Sequence, residues 1–285
     1  DEKGTRMQRS ITRKSINAYK QYLLMAEKAH ATIAKYINEV ERLSEYLEHN
    51  ALNKRALLEY RETLAENFSS RTVNTKLAAI NGYLAFIGVD EYKVHLLKVQ
   101  RKAFIAENRE LSAAEYKRLV NAADASGNDR LSLVMQTICA TGIRISELSY
   151  ITVDAVKERR MEIRLKGKSR TVIIPSKLCK KLVEYARRQR IDTGAVFRTK
   201  GGKPLDRANV CHDMKRLCDA AHVERSKVFP HNLRHLFARA FYSIEKNLSH
   251  LADVLGHSSI ETTRIYVAAS SRQYERMLDK MKLVT

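Results

Sequence analysis

Helical spacing governs the apolar residues of this chain nearly from end to end, and strand-like alternation replaces it in one stretch, residues 161–174. Over 32–48 the residues Ile33, Ile37, Val40, Leu43 and Leu47 recur at steps of four and three, which gathers them on one helical face. Lys35, Glu39, Arg42 and Glu45 fall elsewhere on the wheel. The same reasoning predicts a helix over 54–66 through Leu57, Leu58 and Leu64. Another runs over 70–87 through Val73, Leu77, Ile80, Leu84 and Ile87, with Gly88 stopping it. A helix over 12–27 completes a four-helix cluster that is too poor in strands to be anything but α.

Beyond residue 106 a second domain begins. Ser112 and Glu115 form a capping box at a helix start, and more helices follow. Met161, Ile163 and Leu165 then alternate, and Thr171 to Ile174 answer them across Lys166-Gly167-Lys168-Ser169, a hairpin signal with a basic tip. From Leu178 helical periodicity returns, interrupted at Gly201-Gly202. The expected architecture is mainly α with a small antiparallel sheet. A helical domain over 10–89 and a larger domain over 110–285 are joined by a basic linker, 90–109, in which Lys93, Lys98, Arg101 and Lys102 would run along a charged partner. Residues 1–9 are set aside as a tail, Asp1 to Arg6 having the look of a tag remnant.

Charge narrows the partner. Lys and Arg number 52 against 32 Asp and Glu, for a formal net charge of +20, which calls for a polyanion. Residues 1–106 carry +6 (18 Lys/Arg, 12 Asp/Glu) and 107–285 carry +14 (34 and 20), so both parts can touch it. Nucleic acid is favoured over an anionic membrane, since no apolar run reaches the roughly 18 residues that span a bilayer and no signal pattern opens the chain. A cytoplasmic location is expected. Cys139, Cys179, Cys211 and Cys218 form no CxxC pair, which argues against a disulfide framework and a zinc finger. Cys211, His212, Cys218 and His222 crowd together, but at no usual ligand spacing, and Val210, Met214, Leu217 and Ala221 put an apolar helical stripe through the same segment.

Four stretches of the second domain carry chemistry. Ala140-Thr-Gly-Ile-Arg144-Ile-Ser-Glu-Leu148 places an arginine early in a helix after a glycine, where its planar fork can face an oxyanion. The hairpin tip offers the ammonium groups of Lys166 and Lys168. Pro230-His231-Asn232-Leu233-Arg234-His235-Leu236 opens a helix on proline and sets His231, Arg234 and His235 on one face, poor in core residues. Finally, in Leu255-Gly256-His257-Ser258-Ser259-Ile260-Glu261-Thr262-Thr263-Arg264-Ile265-Tyr266, Gly256 ends one helix, Ser258 with Glu261 caps the next, and Tyr266 follows about two and a half turns later.

Together these groups suit phosphoryl transfer. Two arginines neutralise non-bridging oxygens without losing charge, and a tyrosine hydroxyl attacks phosphorus and stores the bond as an ester. A histidine takes the phenolic proton while a lysine protonates the leaving oxygen. Exchanging one phosphodiester for another is nearly balanced in free energy, so no cofactor, nucleotide or metal is expected, in keeping with a chain that lacks a P-loop or carboxylate cluster.

ATGIRISEL, the basic hairpin, HNLRH and LGHSSIETTRIY, in this order, resemble the tyrosine recombinase or phage integrase family over residues 107 to about 268. The resemblance implies catalytic roles for Arg144, Lys166, His231, Arg234, His257 and the nucleophile Tyr266, with Lys168 as the alternative hairpin lysine and otherwise a DNA contact. His235 is read as support or packing. The helical first domain is similar to the family's core-binding domain. No strand-rich arm-binding domain is visible, as in a compact Xer-like enzyme or a shortened mobile-element integrase. The implied function is site-specific DNA recombination through a 3′-phosphotyrosyl intermediate and a Holliday junction. The implied partners are double-stranded target DNA and further copies of the chain, a homotetramer on two sites with Tyr274, Leu278 and Met281 of the last helix docking on a neighbour. A relaxing topoisomerase of the IB class shares the chemistry, and a purely DNA-binding regulator would be expected to have lost one of these residues, which this chain has not.

Overall fold

The computed structural model describes residues 11–48, 51–99, 110–165, 168–199, 201–267 and 279–281. The chain divides into two compact units, Asp1–Arg101 and Lys102–Thr285.

In the first unit, helices α1 (Arg13–Met25), α2 (His30–Leu47), α3 (Lys54–Asn67) and α4 (Ser70–Phe86) follow one another. Side chains that satisfy otherwise orphaned amides start three of them: Thr12 with Ser15, Asn53 and Ser69. Leu43, Leu57, Leu77, Ile80 and Leu84 form one core patch, and Tyr19, Ile33, Val40 and Tyr83 another. Glu39 departs from the wheel reading. It is buried, and both its carboxylate oxygens receive the equally buried Lys76 ammonium, at 2.7 and 2.9 Å. The pair compensates two charges that neither helix could bury alone.

After α4 the chain turns through Asp90–Tyr92 and runs back along the same helix. The Asn81 amide both donates to the Val94 carbonyl (2.9 Å) and accepts from the Val94 amide (3.1 Å). Asn74, two turns earlier, does the same with Leu97, at 2.9 and 2.7 Å. The Lys54 ammonium caps the Lys93 carbonyl, while the Val94 and Leu97 side chains join the core. Residues 93–97 are therefore fastened to the first unit.

In the second unit, α5 (Ala113–Ala125) begins on the Ser112–Glu115 capping box, and α6 (Asp129–Thr141) packs against it. Next come α7 (Val153–Glu158) and the antiparallel pair β1 (Arg160–Leu165) and β2 (Lys168–Ile173). Then follow α8 (Ser176–Arg188), α9 (Arg207–Arg216), α10 (Cys218–Ala221), α11 (Pro230–Ile244), α12 (Leu248–Leu255) and α13 (Ile260–Val267). Leu165 pairs with Lys168, so the backbone of Lys168 and Ser169 belongs to the strand and the tip is shorter than the sequence pattern suggests. Buried Leu119, Val134, Ile138, Leu148, Ile163, Val172 and Leu182 tie these elements into one core. Among the described residues no helix is long and apolar enough to cross a membrane, and no three His, Cys, Asp or Glu side chains gather as for a metal.

Candidate active site

The site is built where α6, β2, α11, α12 and α13 of the second unit converge. α6 ends on Gly142, whose left-handed φ of 67° turns the chain. A methyl group there would overlap the Phe237 ring from α11, so glycine also permits the close approach of the two helices. Arg144 is not inside an α-helix, as its sequence setting suggested. It stands in extended conformation just before a 3-10 turn, Ile145–Tyr150. From there its amide donates to Glu147 Oε2 at 2.7 Å and its guanidinium to Glu147 Oε1 at 2.9 Å.

Glu147 is fully buried, and it binds a second guanidinium as well: Arg170 Nη2, on β2, lies 2.6 Å from Oε2. Arg170 also donates to the Leu255 carbonyl, and its side chain passes over Gly256, where any Cβ would collide with it.

Arg234, the fifth residue of α11, is 1% exposed, whereas His231 on the same face is exposed and His235 half-buried, so that face runs from solvent into the protein. Arg234 donates to the carbonyls of Gly142 and, at 2.7 Å, Leu255. Two guanidiniums thus share the last carbonyl of α12, the negative end of that helix. Burial and then the neighbouring Arg144 charge bring the Arg234 pKa down to about 10, which leaves it charged at neutral pH.

His257 follows Gly256 at the end of α12. Its Nε2 lies 2.9 Å from Arg234 Nη2, and a guanidinium can only donate, so Nε2 accepts and the ring proton sits on Nδ1, 2.8 Å from Thr263 Oγ1. Burial, reinforced by Arg234, Arg144 and Arg170, pushes its pKa down to about 4. His231 is shifted down too, by burial first and Arg234 next. α13 opens at Ile260, so Ser259 and not Ser258 immediately precedes it. Tyr266 lies in its last turn, buried, with its hydroxyl 3.1 Å from His231 Nε2.

Five of the expected groups, Arg144, His231, Arg234, His257 and Tyr266, therefore meet in one place, while Lys166 lies outside the described residues. Lys168 is described through its strand pairing with Leu165. Lys93 and Lys98 lie in the first unit, Lys93 paired with Asp90 and Lys98 exposed; Arg101 and Lys102 fall outside the described residues. Three members of the site had been given no role: Glu147, Arg170 and Thr263. Arg170 had a legible signal, since it shares a strand face with the buried Val172, two residues on.

Three guanidiniums against one carboxylate, with neutral imidazoles around a tyrosine hydroxyl, leave two uncompensated positive charges. This arrangement can stabilise the extra negative charge of a pentacoordinate phosphate.

The sequence matches the phage integrase family over residues 109–273 and its N-terminal SAM-like domain over residues 16–88. The tyrosine recombinase XerA of Thermococcus kodakarensis is 30% identical over 280 residues, covering 94% of this chain and 95% of the relative. A XerH site-specific recombinase bound to its difH substrate before cleavage superposes with a TM-score of 0.68 at 21% identity, covering 88% of this chain and 80% of that one. A lambda integrase tetramer bound to a Holliday junction gives a TM-score of 0.70 at 16% identity, covering 90% and 77%. The chain belongs to the phage integrase family. It is a tyrosine site-specific recombinase, cleaving and rejoining DNA and exchanging strands.

Proposed function

We propose that Tyr266 is the nucleophile and that its attack leaves the protein joined to a 3′-phosphate, freeing a 5′-hydroxyl that then attacks the partner strand's phosphotyrosine. The observation that carries this reading is the 3.1 Å approach of the Tyr266 hydroxyl to His231 Nε2 beside Arg234. His231, held neutral, accepts the phenolic proton. Arg144 and Arg234 neutralise the non-bridging oxygens as charge builds on them. His257, with its proton fixed on Nδ1, keeps Nε2 against Arg234 and orients that guanidinium. Lys166 protonates the departing 5′-oxygen, Lys168 being its rival for that role.

Double-stranded DNA is the substrate, held as well by Lys93, Lys98, Arg101, Lys102 and Lys168. Four copies act on two sites, the final helix with Tyr274, Leu278 and Met281 docking on a neighbour; Met281 is exposed, and the other two lie outside the described residues. We take the helical domain, to which residues 93–97 are clamped, and the domain over 110–285 both to contact the duplex, and the enzyme to act in the cytoplasm. Tyr266→Phe tests the reading: strand cleavage disappears while gel-shift affinity for the same DNA stays within about twofold, since only the nucleophilic oxygen is lost. A covalent complex formed by the Phe variant overturns it.

A further inference from the structure

The roles above use two of the three imidazoles around Tyr266. The third, His235, lies with its ring centroid 4.1 Å from that of Tyr266 and its plane 18° away, a face-to-face stack. It meets His231 edge-on, centroids 4.8 Å apart at 76°. His257 approaches Tyr266 from elsewhere, at 5.2 Å and 45°. Among the described residues nothing takes a hydrogen bond from the His235 ring or gives one to it.

We infer that His235 is a positioning residue for the nucleophile, its flat face holding the Tyr266 ring so that the hydroxyl stays on His231. The inference rests on Tyr266 being the attacking residue. His231 and His235 are one helical turn apart on α11, and Arg234 lies between them, so one rigid turn presents the proton acceptor, the phosphate-binding guanidinium and the platform for the tyrosine. Tyr266 itself sits near the end of a helix of eight residues, which fixes its backbone but leaves its χ angles to be set by neighbours. An aromatic face at stacking distance sets them, because any rotation of the phenol about χ1 breaks the stack and the His231 hydrogen bond together. Burial, with His231, Arg239 and Arg234 nearby, drives the His235 pKa down to about 3, so it stays neutral and does not exchange protons near pH 7. Its contribution is a surface.

Two substitutions separate surface from chemistry. His235→Leu keeps apolar bulk and loses the flat ring; His235→Phe keeps the ring and loses both nitrogens. The probe is a nicked duplex carrying the site recovered by covalent capture with the wild-type protein, cleaved in single turnover. His235→Leu should cleave about tenfold more slowly at unchanged gel-shift affinity, and His235→Phe should come within about threefold of wild type, the scale set by one aromatic pair. The Leu deficit should persist on the same duplex with sulfur at the 5′-bridging position, because the attack and not the departure is impaired. Wild-type speed in His235→Leu, loss of cleavage in His235→Phe with binding intact, or sulfur rescue of the Leu variant each overturns the inference. If either variant fails to bind DNA or loses its circular dichroism, His235→Tyr and His235→Met repeat the ring-against-no-ring comparison. Peptide mapping of the wild-type adduct distinguishes the two levels. DNA attached away from Tyr266 defeats the underlying reading, whereas attachment at Tyr266 with a fully active Leu variant defeats the role of His235 alone.

Discussion

Arg234 Nη2 donates to His257 Nε2 at 2.9 Å, a contact that fixes the tautomer of the imidazole and adds to the burial that pushes its pKa down. Protonating Nε2 would set two donors and two charges against each other. With His231 and His235 also shifted down, the cluster prefers to be uncharged.

The pH dependence follows. Above the ordinary histidine pKa near 6.5 the folded and unfolded chains both hold neutral imidazoles, and nothing is lost. Below it the unfolded chain takes up protons that the folded one refuses, so this contribution to stability falls as pH drops through the values of about 4 for His257 and about 3 for His235. We expect Tm to decline from pH 6.5 to 4.5, less steeply in His235→Phe. The acid limb of kcat/KM, which reports the free enzyme, should lie below pH 6.5. An acid limb above pH 7 would mean that His231 is not the proton acceptor.

Glu147 holds two guanidiniums, and removing its charge sets Arg144, Arg170 and Arg234 against one another. Glu147→Gln should slow cleavage by about one to two orders of magnitude, and Glu147→Ala should cost about 3–5 kcal/mol of stability, as for other broken buried pairs. Chemical denaturation and single-turnover cleavage check this. Unchanged behaviour in both would show that the arginines are held by their carbonyl contacts alone.

The helices and the Ser112–Glu115 cap were legible because apolar spacing and capping boxes are local, and the stripe through Val40 and Leu43 forms as the pattern dictates, whereas the cap of α13 was placed one residue early, at Ser258. What was missed depends on partners distant in sequence. Glu39 looks like a solvated charge until Lys76, 37 residues on, meets it. Arg170 becomes part of the site only when the hairpin brings it to Leu255, 85 residues away. Arg144 and the shortened hairpin tip were misread for a different reason, since a 3-10 turn and a two-residue connection leave weaker periodic signals than the helices and strands around them.

The Asn74 and Asn81 clamps make residues 93–97 part of the first unit. Replacing both with leucine leaves the Val94 and Leu97 backbone groups without these partners, at about 1–3 kcal/mol for each buried group left unsatisfied. Limited proteolysis should then cut near residues 94–98 at least about tenfold faster. Equal cutting in wild type and variant would mean that the segment is held by its apolar side chains.

The hairpin lysines are separated by leaving-group chemistry. If Lys166 is the general acid, Lys166→Ala cleaves ordinary DNA slowly and recovers on 5′-bridging sulfur DNA, while Arg144→Ala does not recover. The same defect and rescue in Lys168→Ala, with Lys166→Ala normal, would transfer the role to Lys168.

The most direct test of the whole account is to identify the amino acid to which DNA becomes attached. A nicked duplex traps the cleaved complex, and peptide mass spectrometry after nuclease digestion reads the modified residue. The account predicts a 3′-phosphate ester on the Tyr266 oxygen and on no other side chain; an ester on any other residue, or linkage through a 5′-phosphate, would contradict it.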